Sequence, residues 1–173
     1  MDEGGRSGYR FPDILTLFAA AAAHTERIRL GTAIEPMYSR HPLVMAQQAL
    51  AVDDLASGRL GIGTSNRMVI EDWHGLKFSS PLPYLQEYIE VLRRALWKES
   101  ATYHGTFFQV AFPLSRSAQI PLLTSALGKK ALQLAGEIAD GVLSWTCPAP
   151  ICFRRRFPHY TPELEPVSFR HPH

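Results

Sequence analysis

Residues 27–66 place a helix-patterned segment between two short apolar runs, IRLGTAI and RLGIGTSN. Two strands joined through a helix are predicted to run parallel, because a parallel pair needs a long crossover connection. In parallel α/β proteins the ligand site lies at the carboxyl ends of the strands. Those ends are residues 32–34 and 64–66, where small or hydroxyl side chains leave backbone N–H groups accessible. Such ends suit a flat, polar-edged cofactor.

Composition indicates a globular domain and argues against several other classes of protein. The 173 residues are 46% hydrophobic and 20% charged, which is enough apolar material for one domain with a core. The net charge is only +2 and the basic residues are scattered, apart from 154–156, so we expect no nucleic-acid partner. Two cysteines, Cys147 and Cys152, are too few for a secreted disulfide framework. With no run of about 20 apolar residues and no signal-peptide pattern, we expect a cytoplasmic protein without a membrane segment.

The whole chain continues the alternation of helix and strand, which is typical of a parallel α/β architecture. A long connection, 65–81, interrupts it, and loops of this length tend to carry function. The sequence predicts helices at 12–26, 42–56, 82–97 and 128–139, strands at 27–34, 59–64, 120–125 and 141–145, and a hairpin at 101–110.

Three segments differ in character. Residues 1–10 are Gly-rich and polar and are expected to form a flexible leader. Residues 11–146 carry the periodic pattern of the domain. Residues 147–173 hold six of the 13 prolines and no regular period, so we predict an irregular tail.

Several motifs, in the same order, resemble the luciferase-like monooxygenase family. They are the segment 27–66, the helix and hairpin of 75–110, and IPLLTSALGKKALQLAGEIADGVLSW at 120–145. The resemblance covers 9–146 and implies an eight-stranded α/β barrel that binds FMN or the deazaflavin coenzyme F-420. Of the two, it is closer to the deazaflavin branch. Four of the eight strands are recognisable, by family order the third to the sixth. We therefore expect an α/β fold with parallel strands, a partial barrel of a truncated member.

The resemblance also implies the cofactor site, motif by motif. LGTAI corresponds to a bulged strand in which a non-prolyl cis peptide, here Ala33–Ile34, backs the cofactor ring. GIGTSN corresponds to the segment beside that ring, and TSALGKKAL to a turn at a helix N-terminus that holds the cofactor phosphate. The implied cofactor-binding residues are Thr32, Ala33, Ile34, Thr64, Ser65, Asn66, Ser125, Ala126, Leu127 and Gly128.

Plainer interpretations of the same residues remain open. Residues 32–34 and 64–66 could be ordinary strand ends, and Ser125 could be a helix N-cap. Arg40 and the pair Asp53–Asp54 are predicted to be solvated charges. No metal site is predicted, and no side chain can be assigned as a catalytic acid or base.

Two functional hypotheses follow from these residues and the resemblance. The first is a flavin- or deazaflavin-dependent oxidoreductase or monooxygenase that acts on a small organic substrate. The alternative is a truncated, catalytically inactive barrel fragment or a non-catalytic flavin-binding subunit. The resemblance also raises a homodimer as an expected assembly, because dimers are common in the family.

Overall fold

A computed structural model describes residues 12–64, 70–71, 74–98, 100–113, 116–126 and 128–143. The predicted alternation of helix and strand is confirmed over these ranges. In chain order the elements are α1 (Ile14–Ala23), β1 (Leu30–Gly31), α2 (Pro42–Ala56), β2 (Leu60–Thr64), α3 (Pro81–Trp97), β3 (Ser100–His104), β4 (Gln109–Pro113), β5 (Leu122–Ser125), α4 (Lys129–Ile138) and β6 (Gly141–Leu143).

Four of the strands form one parallel sheet in the order β1-β2-β5-β6. Its register pairs Leu30 with Leu60, Ile62 with Leu122, and Thr124 with Val142. Strands β3 and β4 form a separate antiparallel hairpin between α3 and β5. Because every connection within the main sheet passes through a helix, the architecture is the α/β partial barrel that the sequence predicts.

Helix boundaries follow from local chemistry. Helix α1 begins after Asp13, whose carboxylate accepts the Thr16 N–H at 2.8 Å. Helix α2 begins at Pro42, a residue suited to the first helical position, and ends at Ser57, which has a left-handed φ of 44°. Helix α4 begins after Gly128. Ser125 lies in β5, so the alternative interpretation of Ser125 as the N-cap is wrong.

The hydrophobic core lies between one face of the sheet and the helices. Leu60, Ile62 and Leu122 point from the sheet into this core and are almost completely buried. Helix α3 contributes the apolar stripe that its sequence predicts, with Leu85, Ile89, Leu92 and Leu96 all buried. The strands therefore present their other face away from the helices.

Two expectations need correction. The strand predicted over 27–34 pairs regularly only at Leu30–Gly31, because the following residues leave the sheet as a bulge. Asp53 is not a solvated charge: its side chain is 11% exposed and pairs with Arg116 at 3.3 Å. Asp54, which is mostly exposed, pairs with the same guanidinium at 2.8 Å.

In the part of the chain that the structure describes, every helix is too short or too polar to cross a membrane.

Candidate cofactor site

The carboxyl end of β1 continues as a bulge over residues 32–35. The Thr32 hydroxyl donates to the Gly63 carbonyl at 2.9 Å and accepts the Gly63 N–H at 2.8 Å. The Glu35 N–H donates to the same Gly63 carbonyl at 2.7 Å. Both ends of the bulge are thus bonded to one residue of β2, and Ala33 and Ile34 between them are displaced from the sheet.

The bulge contains the cis peptide that the resemblance implies, between Ala33 and Ile34. The packing of the bulge against β2 requires a glycine at position 63. A Cβ atom at Gly63 would lie 2.4 Å from the Thr32 carbonyl oxygen and 2.5 Å from Leu143 Cδ1. Only a residue without a side chain allows the bulge to approach β2 this closely.

Three glycines lie on the sheet face away from the helices, covered by neighbouring side chains. Gly61 and Gly141 lie beside the Leu123 side chain, and Gly63 lies beside Ile34 and Leu143. In barrels of this type the corresponding interior is normally filled by bulky branched side chains. Here the glycines allow the bulge and these side chains to lie directly against the main chain of the sheet.

The structure brings three of the predicted strand ends together. Glu35 forms a parallel bridge with Thr64, and Thr64 pairs with Thr124 of β5. The bulge, the end of β2 and the end of β5 therefore lie side by side at the carboxyl edge of the sheet. Ser65, Asn66 and Leu127 fall outside the described residues.

Exposure separates the predicted residues into two groups. Ala33 is exposed and Ile34 and Ser125 are half-buried, so these three can meet a ligand directly. Thr32, Thr64 and Ala126 are buried, and the Thr32 hydroxyl is already committed to Gly63. The Thr64 hydroxyl has no hydrogen-bond partner among the described residues. Thr32 and Ala126 therefore shape the site through the main chain.

The start of α4 offers an accessible helix N-terminus at the same edge. Gly128 is exposed, and a Cβ atom placed there would meet nothing within 4 Å. The exposed Lys129 and Lys130 follow directly. Free N–H groups and the positive end of the helix dipole favour an anion such as a phosphate, which is the role that the resemblance implies for this turn.

Reasoning from the sequence missed a group of charges behind the bulge. Arg40 is not a solvated arginine, since its side chain is only 19% exposed and contacts Glu35 at 2.9 Å and Asp13 at 2.5 Å. Glu35 itself is buried. The sequence signal for this group is Glu35, a carboxylate that directly follows an apolar strand and precedes Pro36. Its partner Arg40 lies five residues further on, so the sequence did not indicate the ion pair.

These carboxylates differ in their tendency to ionise. Burial raises the pKa of Glu35 above its usual range, and the nearby Arg40 only partly opposes this shift. For Asp13 burial also acts upward, but hydrogen bonds from Thr16 and Arg40 outweigh it and the pKa is lowered. Burial lowers the pKa of His41 at the start of α2, which favours its neutral form.

Other candidate sites are weaker. A groove of about 590 Å³ lies between α3 and α4, but its lining includes Trp97 and Asp140 and so belongs to the opposite end of the sheet. Within the described ranges, no group of three histidine, cysteine, aspartate or glutamate side chains could hold a metal ion.

Comparison with known proteins identifies the family. The model of the family described as luciferase-like monooxygenase matches residues 1–165, most of the chain. The chain belongs to the luciferase-like monooxygenase family. The matched range extends on both sides of 11–146, the domain predicted from sequence.

Relatives within the luciferase-like family are about a third identical to this chain over the aligned residues. A Mycobacterium tuberculosis protein named as a coenzyme F420-dependent oxidoreductase is 34% identical over 149 residues, 76% of this chain and 43% of the relative. The 5,10-methylenetetrahydromethanopterin reductase of Methanolobus tindarius is 30% identical over 139 residues, 78% of this chain and 42% of the relative.

A solved structure of a relative has the same fold over the matched part. The coenzyme F420-dependent tetrahydromethanopterin reductase of Methanopyrus kandleri superposes with a TM-score of 0.69 at 30% identity, covering 77% of this chain and 44% of that one. The chain thus spans less than half the length of the family members it matches.

Proposed function

We propose that this chain forms the cofactor-binding part of an oxidoreductase that uses coenzyme F420, with FMN as the alternative cofactor and a small organic molecule as substrate. The single observation that carries this proposal is the bulge at Ala33–Ile34, which is bonded at both ends to Gly63 and leaves Ala33 exposed. The family relatives named for F420 favour the deazaflavin over FMN.

The described residues fit such a cofactor. The exposed Ala33 and half-buried Ile34 offer a surface for a planar ring. The N-terminus of α4 at Gly128 would hold the phosphate. When bound, the cofactor supplies hydride transfer, while the protein fixes its position and excludes water.

An equilibrium titration with F420 and with FMN tests this proposal. The informative variant is Ala33→Trp, which adds bulk on the exposed surface of the bulge. We expect the affinity to fall by more than about tenfold, because the ring loses its contact surface. Ala51→Trp is the matched control, since Ala51 is an exposed alanine on the outer side of α2. Failure of the unmodified chain to bind either cofactor would contradict the proposal.

A second candidate is a chain that binds the cofactor without turnover, alone or as a homodimer. The observation that favours it is that, among the described residues, β1 and β6 each pair on one side only. Unpaired strand edges invite association with another chain. Light scattering combined with a turnover assay distinguishes the two: a monodisperse monomer with steady turnover supports the enzyme, and an inactive dimer that binds cofactor supports the second candidate.

A further inference from the structure

Glu35 lies where the bulge rejoins the sheet. Its N–H bonds the Gly63 carbonyl at 2.7 Å, and its backbone bridges to Thr64. The residue is only 8% exposed, so its carboxylate lies inside the protein. A charged side chain is therefore buried directly behind Ala33–Ile34, where an apolar residue would serve packing equally well.

Arg40 connects this carboxylate to two helices. One guanidinium nitrogen, Nη2, contacts Glu35 Oε1 at 2.9 Å and Asp13 Oδ1 at 2.5 Å, and Nη1 donates to Gln48 Oε1 at 2.8 Å. Asp13 is the N-cap of α1, and Gln48 lies in α2. Because a guanidinium is planar and rigid, it fixes the carboxylate relative to both helices.

Burial and neighbouring charges act on the Glu35 carboxylate in opposite directions. Burial raises the pKa of Glu35, and the attraction of Arg40 does not fully offset that effect. The other charged groups facing it are Asp13, which raises its pKa, and His74, which lowers it. A buried carboxylate with a perturbed pKa and a specific charged partner, beside a candidate site, is a candidate functional group.

We propose that Glu35 is a positioning residue: through Arg40, its carboxylate holds the Ala33–Ile34 bulge in one place and thereby sets the affinity of the cofactor site. This inference rests on the proposed function and adds a residue to it. Glu35 acts through the backbone of the bulge.

Two substitutions of Glu35 separate positioning from stability. Glu35→Met removes the bond to Arg40 and also the burial penalty, so the thermal midpoint at pH 7 should stay unchanged or rise. The affinity for F420 should nevertheless fall about tenfold, because the bulge is no longer held. Glu35→Gln keeps an oxygen that can accept from Arg40, and its affinity should stay within about threefold of the unmodified chain.

Arginine variants provide a matched pair. Arg40→Met should weaken cofactor binding about tenfold. Arg93→Met is the control, because the Arg93 side chain is 21% exposed against 19% for Arg40 and pairs with Asp140 at the opposite end of the sheet. It should lower stability and leave the affinity unchanged. If Glu35→Met does not fold, this pair gives the same test.

Hydrogen exchange distinguishes failure of this inference from failure of the proposed function. The Glu35 amide, which bonds Gly63, should exchange at least about tenfold faster in Glu35→Met and Arg40→Met, while core amides of β2 are unaffected. If the unmodified chain binds neither F420 nor FMN, the proposed function is wrong, and exchange at Glu35 still decides the positioning role. Unchanged exchange at Glu35, or equal losses of affinity in Arg40→Met and Arg93→Met, would overturn the inference.

Discussion

The Thr32 hydroxyl bonds both the N–H and the carbonyl of Gly63, at 2.8 and 2.9 Å. At the point where β1 leaves the sheet, this side chain supplies the acceptor for the Gly63 N–H and shares the Gly63 carbonyl with the Glu35 N–H. Both bonds are buried, so water does not readily replace them. The shape of the bulge, and with it the candidate site, depends on this contact.

Thr32→Val should therefore destabilise the protein although it preserves the shape of the side chain. The buried Gly63 N–H loses its acceptor, and a loss of roughly 1–3 kcal/mol in the free energy of unfolding is expected. Urea denaturation measures the loss. Thr32→Ser retains the hydroxyl and should lose clearly less. A valine variant as stable as the serine variant would show that the two bonds contribute little.

Gly63→Ala should be destabilising for a steric reason. The new Cβ atom would lie 2.4 Å from the Thr32 carbonyl oxygen, which belongs to the backbone of the bulge and cannot move freely. A loss of about 1–3 kcal/mol is expected from such overpacking. Gly136→Ala in α4 is the control, since its Cβ meets nothing within 4 Å and alanine favours a helix. Thermal unfolding should give opposite signs for the two variants.

Arg59 connects the end of α2 to the segment between α1 and β1 through hydrogen bonds. Its guanidinium donates to the carbonyls of Ala56, Ile28 and Thr25 at 2.7, 2.8 and 3.0 Å. Arg59→Met should reduce the free energy of unfolding by about 2–3 kcal/mol, because these carbonyls lose a charged donor.

Arg94→Met provides the comparison for Arg59. The Arg94 side chain is 37% exposed, pairs with Glu90 on the same helix and donates to one carbonyl, that of Thr102, at 3.0 Å, so a loss of about 1 kcal/mol is expected. Equal losses for the two variants in chemical denaturation would contradict the role given to Arg59.

The pH dependence of stability should report on Glu87. Its carboxylate accepts the N–H groups of Thr106, Phe107 and Phe108 in the turn of the hairpin. Partial burial acts to raise its pKa, but these bonds outweigh that effect and lower it below the usual 4.5. The stabilisation is therefore fully present above pH 4.5 and is lost as the pH falls through the lowered value.

Glu87→Gln removes this dependence. Unfolding free energies measured between pH 2.5 and 7 should fall less steeply below pH 4.5 in the variant than in the unmodified chain. Identical slopes in the two proteins would mean that the Glu87 carboxylate makes no net contribution.

Local signals explain how much of the fold the sequence could predict. The bounds of α2 were predicted as observed, because Pro42 marks its first turn and Ser57–Gly58 its end. The residue pattern did not predict the early end of β1, because residues 32–34 continue the apolar run of the strand; the bulge there was implied by the resemblance alone. A bulge depends on a bond between residues 31 positions apart, which periodicity cannot reveal.

The candidate site was predicted in part for a similar reason. Motifs placed Ala33–Ile34 and the residues after β5 at the carboxyl edge, where the structure has them. The ion pairs of Arg40 with Glu35 and Asp13 were not predicted, because an isolated charged residue in a sequence is usually solvated. Only the fold brings the three side chains together.

The central claim is that a planar redox cofactor binds at the edge formed by the bulge, the end of β2 and the start of α4. The most direct test is a titration of the 15N-labelled chain with F420, and separately with FMN, followed by amide chemical shifts. The account predicts shifts concentrated at Ala33–Glu35 and Gly128–Ala131. Shifts confined to the groove between α3 and α4, or no shifts with either cofactor, would contradict it.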